Sequence, residues 1–200
     1  MWKTMNLSVA VMVMALGTQA GAQQPAPATP PAAVAATAPT PPPAPNVGDM
    51  APDFTAPAAD SAGARATPVS LRDLRGRVVV VAFYPKDRTS GCTAEMTKFR
   101  DEYASLFGPE VTVLPVSLDS MDSHLSWAHD AHFPFTLVSD PSGTIASAYG
   151  SLMPGRPYAN RTVFVIGKDG RIVYREMKFG ALDQHAYDAL KDAVAKAKRA

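Results

Sequence analysis

The chain has 200 residues, 46% of them hydrophobic and 18% charged, enough for one globular domain with its own core and a remainder outside it. The formal net charge is +1 and basic residues gather only at Lys196, Lys198 and Arg199, so neither nucleic acid nor an anionic membrane surface is indicated as a partner. The single cysteine, Cys92, excludes an internal disulfide.

At the N-terminus, Met1 to Asn6 carries Lys3, Leu7 to Gly17 is apolar, and Ala20-Gly21-Ala22 supplies small residues. This is the layout of a secretory signal peptide over residues 1–22, with cleavage expected after Ala22. The apolar stretch is short for a permanent membrane span, which leaves an uncleaved anchor as the competing reading. Cleavage removes Lys3 and no acid, so 18 basic residues remain against 18 acidic ones. Residues 23–45 are almost wholly Pro, Ala, Thr and Gln and hold nine of the nineteen prolines. Such a composition buries too little apolar surface to offset its ordering entropy and predicts a disordered, semi-extended linker. In an exported protein, as in the bacterial periplasm, a lone thiol is buried and inert, paired with another chain, or reactive.

The domain is expected over residues 46–200. Gly48 to Phe54 reads as a lead-in, Thr67 to Leu71 as a short strand after a polar connection, and Arg72 to Gly76 as a turn. Val78 to Phe83 is apolar throughout, as a strand covered on both faces would be. Met96, Phe99, Tyr103, Leu106 and Phe107 then recur at spacings of three and four, predicting a helix from Thr93 to Phe107 that stops at Gly108-Pro109. Val111 to Leu118 reads as a strand, with Pro115 as a defect in it. Asp122 to Ala131 predicts a helix anchored by Leu125 and Trp127, and Phe133 to Val138 a return to the sheet. Asp140 to Gly143 opens a short helix to Tyr149, and Ser151 to Asn160 is loop. Arg161 to Ile166 and Arg171 to Arg175 flank Gly167-Lys168-Asp169-Gly170, a strong hairpin signal. Leu182 to Lys198 predicts a closing helix. Strands alternating with helices imply an α/β fold, a mixed central sheet with helices on both faces.

The strand, loop and helix around Pro85-Lys86-Asp87-Arg88-Thr89-Ser90-Gly91-Cys92 place the only cysteine in the first turn of a helix. Unpaired backbone N–H groups and the helix dipole favour an anion there. Pro85 and Thr89 can shape the space into which the sulfur points, and Thr89 also reads as a helix cap or turn residue. Glu95 reads as dipole compensation, and His124, His129 and His132 as a solvated helix face and its end rather than metal ligands. Neither a metal nor a cofactor is expected.

Pro85, Thr89 and Cys92 stand in the Pro-x-x-x-Thr-x-x-Cys pattern of peroxiredoxins. Phe83-Tyr84-Pro85-Lys86-Asp87 with Gly91-Cys92-Thr93 resembles the bacterioferritin-comigratory, or Q-type, branch. Ala51-Pro52-Asp53-Phe54, Phe99-Arg100-Asp101, Ser117-Leu118-Asp119-Ser120 and Arg161 to Ile166 extend the resemblance over about Val47 to Lys191. The resemblance implies a thioredoxin-like fold and reduction of hydrogen peroxide and organic hydroperoxides through a cysteine sulfenic acid. It implies Cys92 as the peroxidatic residue, Thr89 as its hydroxyl neighbour, Pro85 as a shield and Arg161 as the guanidinium near the sulfur. Many Q-type members carry a resolving cysteine five residues on, where this chain has Thr97. Recycling then needs an external thiol, from a thioredoxin-like protein or a small molecule, or a second copy of a chain that is a monomer or dimer. The alternative, a thioredoxin-like disulfide exchanger or copper handler, usually needs a second cysteine two or three residues beyond the first, and Glu95 and Met96 leave that requirement unmet.

Ionisation of sulfur supplies only part of such a reaction. Lowering a thiol from about 8.5 to about 6 raises its thiolate fraction at pH 7 roughly thirtyfold. A Brønsted slope of about 0.4–0.5 returns roughly tenfold of that. The larger share must come from groups that hold the peroxide and stabilise the leaving oxygen, and a planar, permanently charged guanidinium suits this role.

Overall fold

The computed structural model describes residues 43–200; the expected signal peptide and residues 23–42 of the expected linker lie outside the described residues. Strand β5, Val78–Phe83, is buried at each of its six positions, as its unbroken apolar run requires. It pairs in parallel with β6, Val111–Ser117, on one side and antiparallel with β8, Thr162–Ile166, on the other. Beyond β6 the sheet continues through β7 (Leu137–Ser139), β2 (Ala58–Asp60) and β3 (Gly63–Ala64), and beyond β8 it ends at β9 (Ile172–Glu176). The order β3-β2-β7-β6-β5-β8-β9 thus puts the most apolar strand away from both edges. Strands β1 (Thr55–Ala56) and β4 (Val69–Ser70) form a separate two-stranded ribbon.

Alternation along β5 feeds two cores. Val78, Val80 and Ala82 join residues of α1 (Ser90–Asp101), α2 (Tyr103–Leu106), α3 (Met121–Ala131) and α5 (Gln184–Arg199). Val79, Val81 and Phe83 join Ile145 and Ala146 of α4 (Thr144–Ala148), with Ala51 and Phe54 of the lead-in and Leu71 just after β4. This is the thioredoxin-like arrangement expected, a mixed sheet with helices on both faces.

Several local expectations need correction. The helix expected at Thr93–Phe107 begins earlier, at Ser90, and is broken at Glu102, whose φ/ψ of −105°/17° is not helical. The polar connection before Thr67 contains the hairpin β2–β3, formed by pairing of short Ala-rich segments at the sheet edge rather than by an apolar run. The strand expected at Phe133–Val138 is confined to Leu137–Ser139, while Phe133 and Phe135 stack at 4.8 Å in the core that holds α1. Pro115 does lie within β6. Tyr84 N–H donates to Val116 O on the β5 side and Asp140 N–H to Ser117 O on the β7 side, so Pro115, two residues before Ser117, faces β7 where pairing with it has only begun. His124, expected on a solvated face, is completely buried, whereas His129 and His132 are exposed as expected.

Candidate active site

Topology builds the site. Because β8 runs antiparallel to β5 with Thr162 opposite Phe83, the residue that enters β8, Arg161, stands beside the loop that leaves β5. That loop runs from Pro85 to Thr89 and delivers the chain into α1, where Cys92 is the third residue. Residues 69 positions apart are therefore brought together, and Arg161 Nη2 donates to Cys92 Sγ at 3.4 Å. Gly91 permits this approach, since a Cβ there would stand 3.2 Å from Nη2. The second guanidinium nitrogen, Nη1, donates to Glu95 Oε2.

Glu95, expected to compensate the helix dipole, lies inside the protein instead. It is fully buried, because Cys92, Glu95, Met96 and Phe99 form the single inward stripe of α1. Burial pushes its carboxyl up to about 7, against the opposing pull of Arg161. Among the described residues, its Oε1 is buried without a hydrogen-bond partner. On the guanidinium, burial opposes charge, yet Glu95 and the Cys92 sulfur outweigh it and hold Arg161 firmly protonated.

The remaining expected site residues lie on the loop. Thr89 sits at the N-cap position with extended backbone, and its carbonyl accepts from Thr93 N–H at 2.8 Å. Its hydroxyl does not cap α1 and donates instead to Lys86 O at 3.0 Å. Pro85 is half-buried where β5 ends, and Thr89 is exposed. Arg161 is thus in direct contact with the sulfur, while the Thr89 hydroxyl is turned back onto its own loop. Cys92 itself has no exposed surface, so the lone sulfur is covered.

A polar cluster that the sequence reading overlooked fixes the other side of the loop. Tyr84 Oη and Ser123 Oγ donate to the two carboxylate oxygens of Asp87, each at 2.7 Å, and His124 Nδ1 lies 2.8 Å from Asp87 Oδ2. Asp87 N–H donates to Asp119 Oδ2 at 2.9 Å, and Ser117 Oγ donates to the same oxygen. Both misses had a signal. Glu95 shares spacings of three and four with Cys92 and Phe99, and His124 with Trp127 and Ala128, the buried residues of α3.

A guanidinium-contacted cysteine at the head of a helix, on a mixed thioredoxin-like sheet, defines a thiol-based oxidoreductase. Residues 47–175 match the model of the AhpC/TSA family, and the chain belongs to that family. The relatives narrow the class to the bacterioferritin-comigratory branch of the peroxiredoxins, here with a single cysteine. "Putative peroxiredoxin bcp" of Coxiella burnetii is 39% identical over 132 residues, 63% of this chain and 84% of the relative. "Peroxiredoxin Bcp" of Bacillus subtilis is 32% identical over 154 residues, 73% and 95% of the two chains. Among solved structures, a cysteine-to-serine mutant of Xylella fastidiosa PrxQ is similar with a TM-score of 0.65 and 28% identity, covering 76% of this chain and 97% of that one.

Proposed function

We propose that this peroxiredoxin is exported to the periplasm and reduces hydrogen peroxide and organic hydroperoxides at Cys92, with recycling by an external thiol. The observation that carries the reading is the Arg161 guanidinium 3.4 Å from the sulfur of the chain's lone cysteine. The Cys92 thiolate attacks one peroxide oxygen; the O–O bond breaks, sulfur gains the hydroxyl and is oxidised by two electrons, and the second oxygen takes a proton and leaves as water or an alcohol. Arg161 and the uncapped N–H groups at the head of α1 supply donors for the negative charge that moves to the leaving oxygen. Pro85 shields the sulfur, and the Thr89 hydroxyl orients the peroxide after giving up its bond to Lys86 O. Since the sulfur is covered, a shift of Arg161 or of the 85–89 loop admits the substrate.

One external thiol then condenses with the sulfenic acid, expelling water and forming a mixed disulfide. A second releases Cys92 as thiol and leaves as the external disulfide. A small thiol or a thioredoxin-like protein supplies both equivalents. The signal peptide, residues 1–22, directs export and is cleaved after Ala22, and residues 23–45 serve as a tether.

The test is intact-mass spectrometry after one equivalent of hydrogen peroxide with dimedone present. A single adduct mapped to Cys92 is expected within the mixing time. An unmodified chain, or modification only at methionines, overturns the peroxidase role of Cys92. N-terminal sequencing of protein from the periplasmic fraction reads the export proposal, and a chain retained whole in the cytoplasm contradicts it.

A further inference from the structure

The Asp87 cluster takes no part in the chemistry described above, yet it holds the segment that carries Pro85 and Thr89. His124 has no exposed surface, and the side chain of Asp87 is 2% exposed. The partners of the imidazole fix its state. Nδ1 faces Asp87 Oδ2 at 2.8 Å and Nε2 faces the Val138 carbonyl oxygen at 3.2 Å. Both are acceptors, so both nitrogens donate only when the ring is an imidazolium; either neutral tautomer turns a lone pair toward an oxygen.

Moving the shared proton to Asp87 would make both its oxygens weaker acceptors for the bonds from Tyr84 Oη and Ser123 Oγ, so those bonds favour the carboxylate. Burial pushes the Asp87 carboxyl up, but the bonds from His124, Ser123 and Tyr84 outweigh it and leave the group below its ordinary value. Among the described residues, the other titratable groups joined to this cluster are Tyr84, whose phenol is pushed up by burial and by the neighbouring Asp87, and Asp119, which holds Asp87 N–H and Ser117 Oγ.

We propose that a buried His124 imidazolium, acting through the Asp87 carboxylate, positions the Pro85–Thr89 loop for the reaction of Cys92 with peroxide. His124 and Asp87 are positioning residues, since they act on the loop that carries Pro85 and Thr89. The loop has other ties: Asp87 N–H to Asp119 Oδ2, the Thr89 hydroxyl to Lys86 O, Thr93 N–H to Thr89 O, and the Arg88 side chain. Arg88 is in the left-handed region at φ 60°, and its guanidinium reaches Ser126 Oγ at 2.8 Å and Asp130 Oδ2 at 2.6 Å on exposed surface. Exposed pairs contribute little. The buried pair holds the Asp87 side chain, and with it the middle of the Pro85–Thr89 loop, and a misplacement of about 1 Å costs roughly a hundredfold in rate.

The proposal rests on Cys92 reacting with peroxide, so its test has two arms. In the first, long-range ¹H–¹⁵N correlation on the labelled full chain, with His124 assigned through His124→Gln, reads the imidazole directly and needs no activity. Protons on both ring nitrogens at pH 7 are expected, and a neutral tautomer overturns the proposal. In the second, stopped-flow rates with hydrogen peroxide and alkylation rates with iodoacetamide are compared for wild type, Asp87→Asn, His124→Gln and the double variant. Each single change is expected to lower the peroxide rate by roughly a hundredfold while alkylation is unchanged or faster. The double variant restores a neutral donor–acceptor pair and is expected to return to within about tenfold of wild type. Unchanged peroxide rates, parallel loss of both reactivities, or no recovery in the double variant overturns the proposal. If a single variant does not fold, the double variant and the spectrum decide. A wild-type chain inert to peroxide instead removes the catalytic reading, leaving the imidazolium to be judged by the spectrum alone.

Discussion

Replacing Glu95 by Gln tests the buried pair beneath the sulfur through its effect on stability. Burial raises the Glu95 carboxyl from its ordinary 4.5 to about 7, so the folded chain holds a proton there that the unfolded chain has already released. Between those two values the unfolded state binds fewer protons, and the stability contributed by this group falls as pH rises. It is fully present below about 4.5 and lost by the time pH passes about 7. The difference of 7 − 4.5 corresponds to about 3 kcal/mol, with no discount for solvent because the side chain is fully buried. Gln keeps an acceptor for Arg161 Nη1 and cannot titrate. Urea unfolding of both proteins from pH 4.5 to pH 8 should therefore show Glu95→Gln gaining about 3 kcal/mol on wild type across the window. Groups common to both cancel in the difference. A difference that stays flat with pH refutes the reasoning, and one that moves the opposite way shows that Arg161 holds Glu95 ionised throughout.

Thr89→Val should lower the peroxide rate by roughly a hundredfold. Because the Thr89 bond to Lys86 O is exposed, its urea stability should change by less than about 1 kcal/mol. Equal rates would assign Thr89 to the turn alone. Leu137→Ala, at a fully buried position of β7, should cost about 2–5 kcal/mol in urea, and a loss below 1 kcal/mol would show that the core around Phe133 collapses into the gap. Cys92→Ser should abolish turnover with every thiol reductant and yield no dimedone adduct; residual turnover would place the reaction elsewhere.

Much of the site was legible because it depends on order along the chain. The apolar run at Val78–Phe83 and the hairpin at Gly167–Gly170 are local patterns that formed where their residues indicated, and the loop before Cys92 formed as well, though the helix takes over from it already at Ser90. Gly170, at φ 82°, closes the hairpin with a bond from its N–H to Gly167 O. Less legible were features set by packing between distant segments. Glu95 and His124 look solvent-facing by residue type, and only the inward stripe of each helix reveals their burial. Their partners, Arg161 and Asp87, are 66 and 37 positions away and are supplied by the topology. The β2–β3 edge escaped notice because Ala58, Ala59 and Ala64 carry almost no strand preference of their own and pair only because β7 offers an edge. Burial of Cys92 follows from the same stripe that hides Glu95, so the helix start fixes where the sulfur sits while its neighbours fix how far it is covered.

Arg161→Lys tests the central claim, that a planar guanidinium over the Cys92 sulfur drives the peroxide step. Lysine keeps the charge but cannot hold Glu95 and reach the sulfur with two fixed donors. The second-order rate constant of sulfenic acid formation with hydrogen peroxide should fall by roughly 10²–10³ in a protein that remains folded. A variant that reacts as fast as wild type would contradict the account.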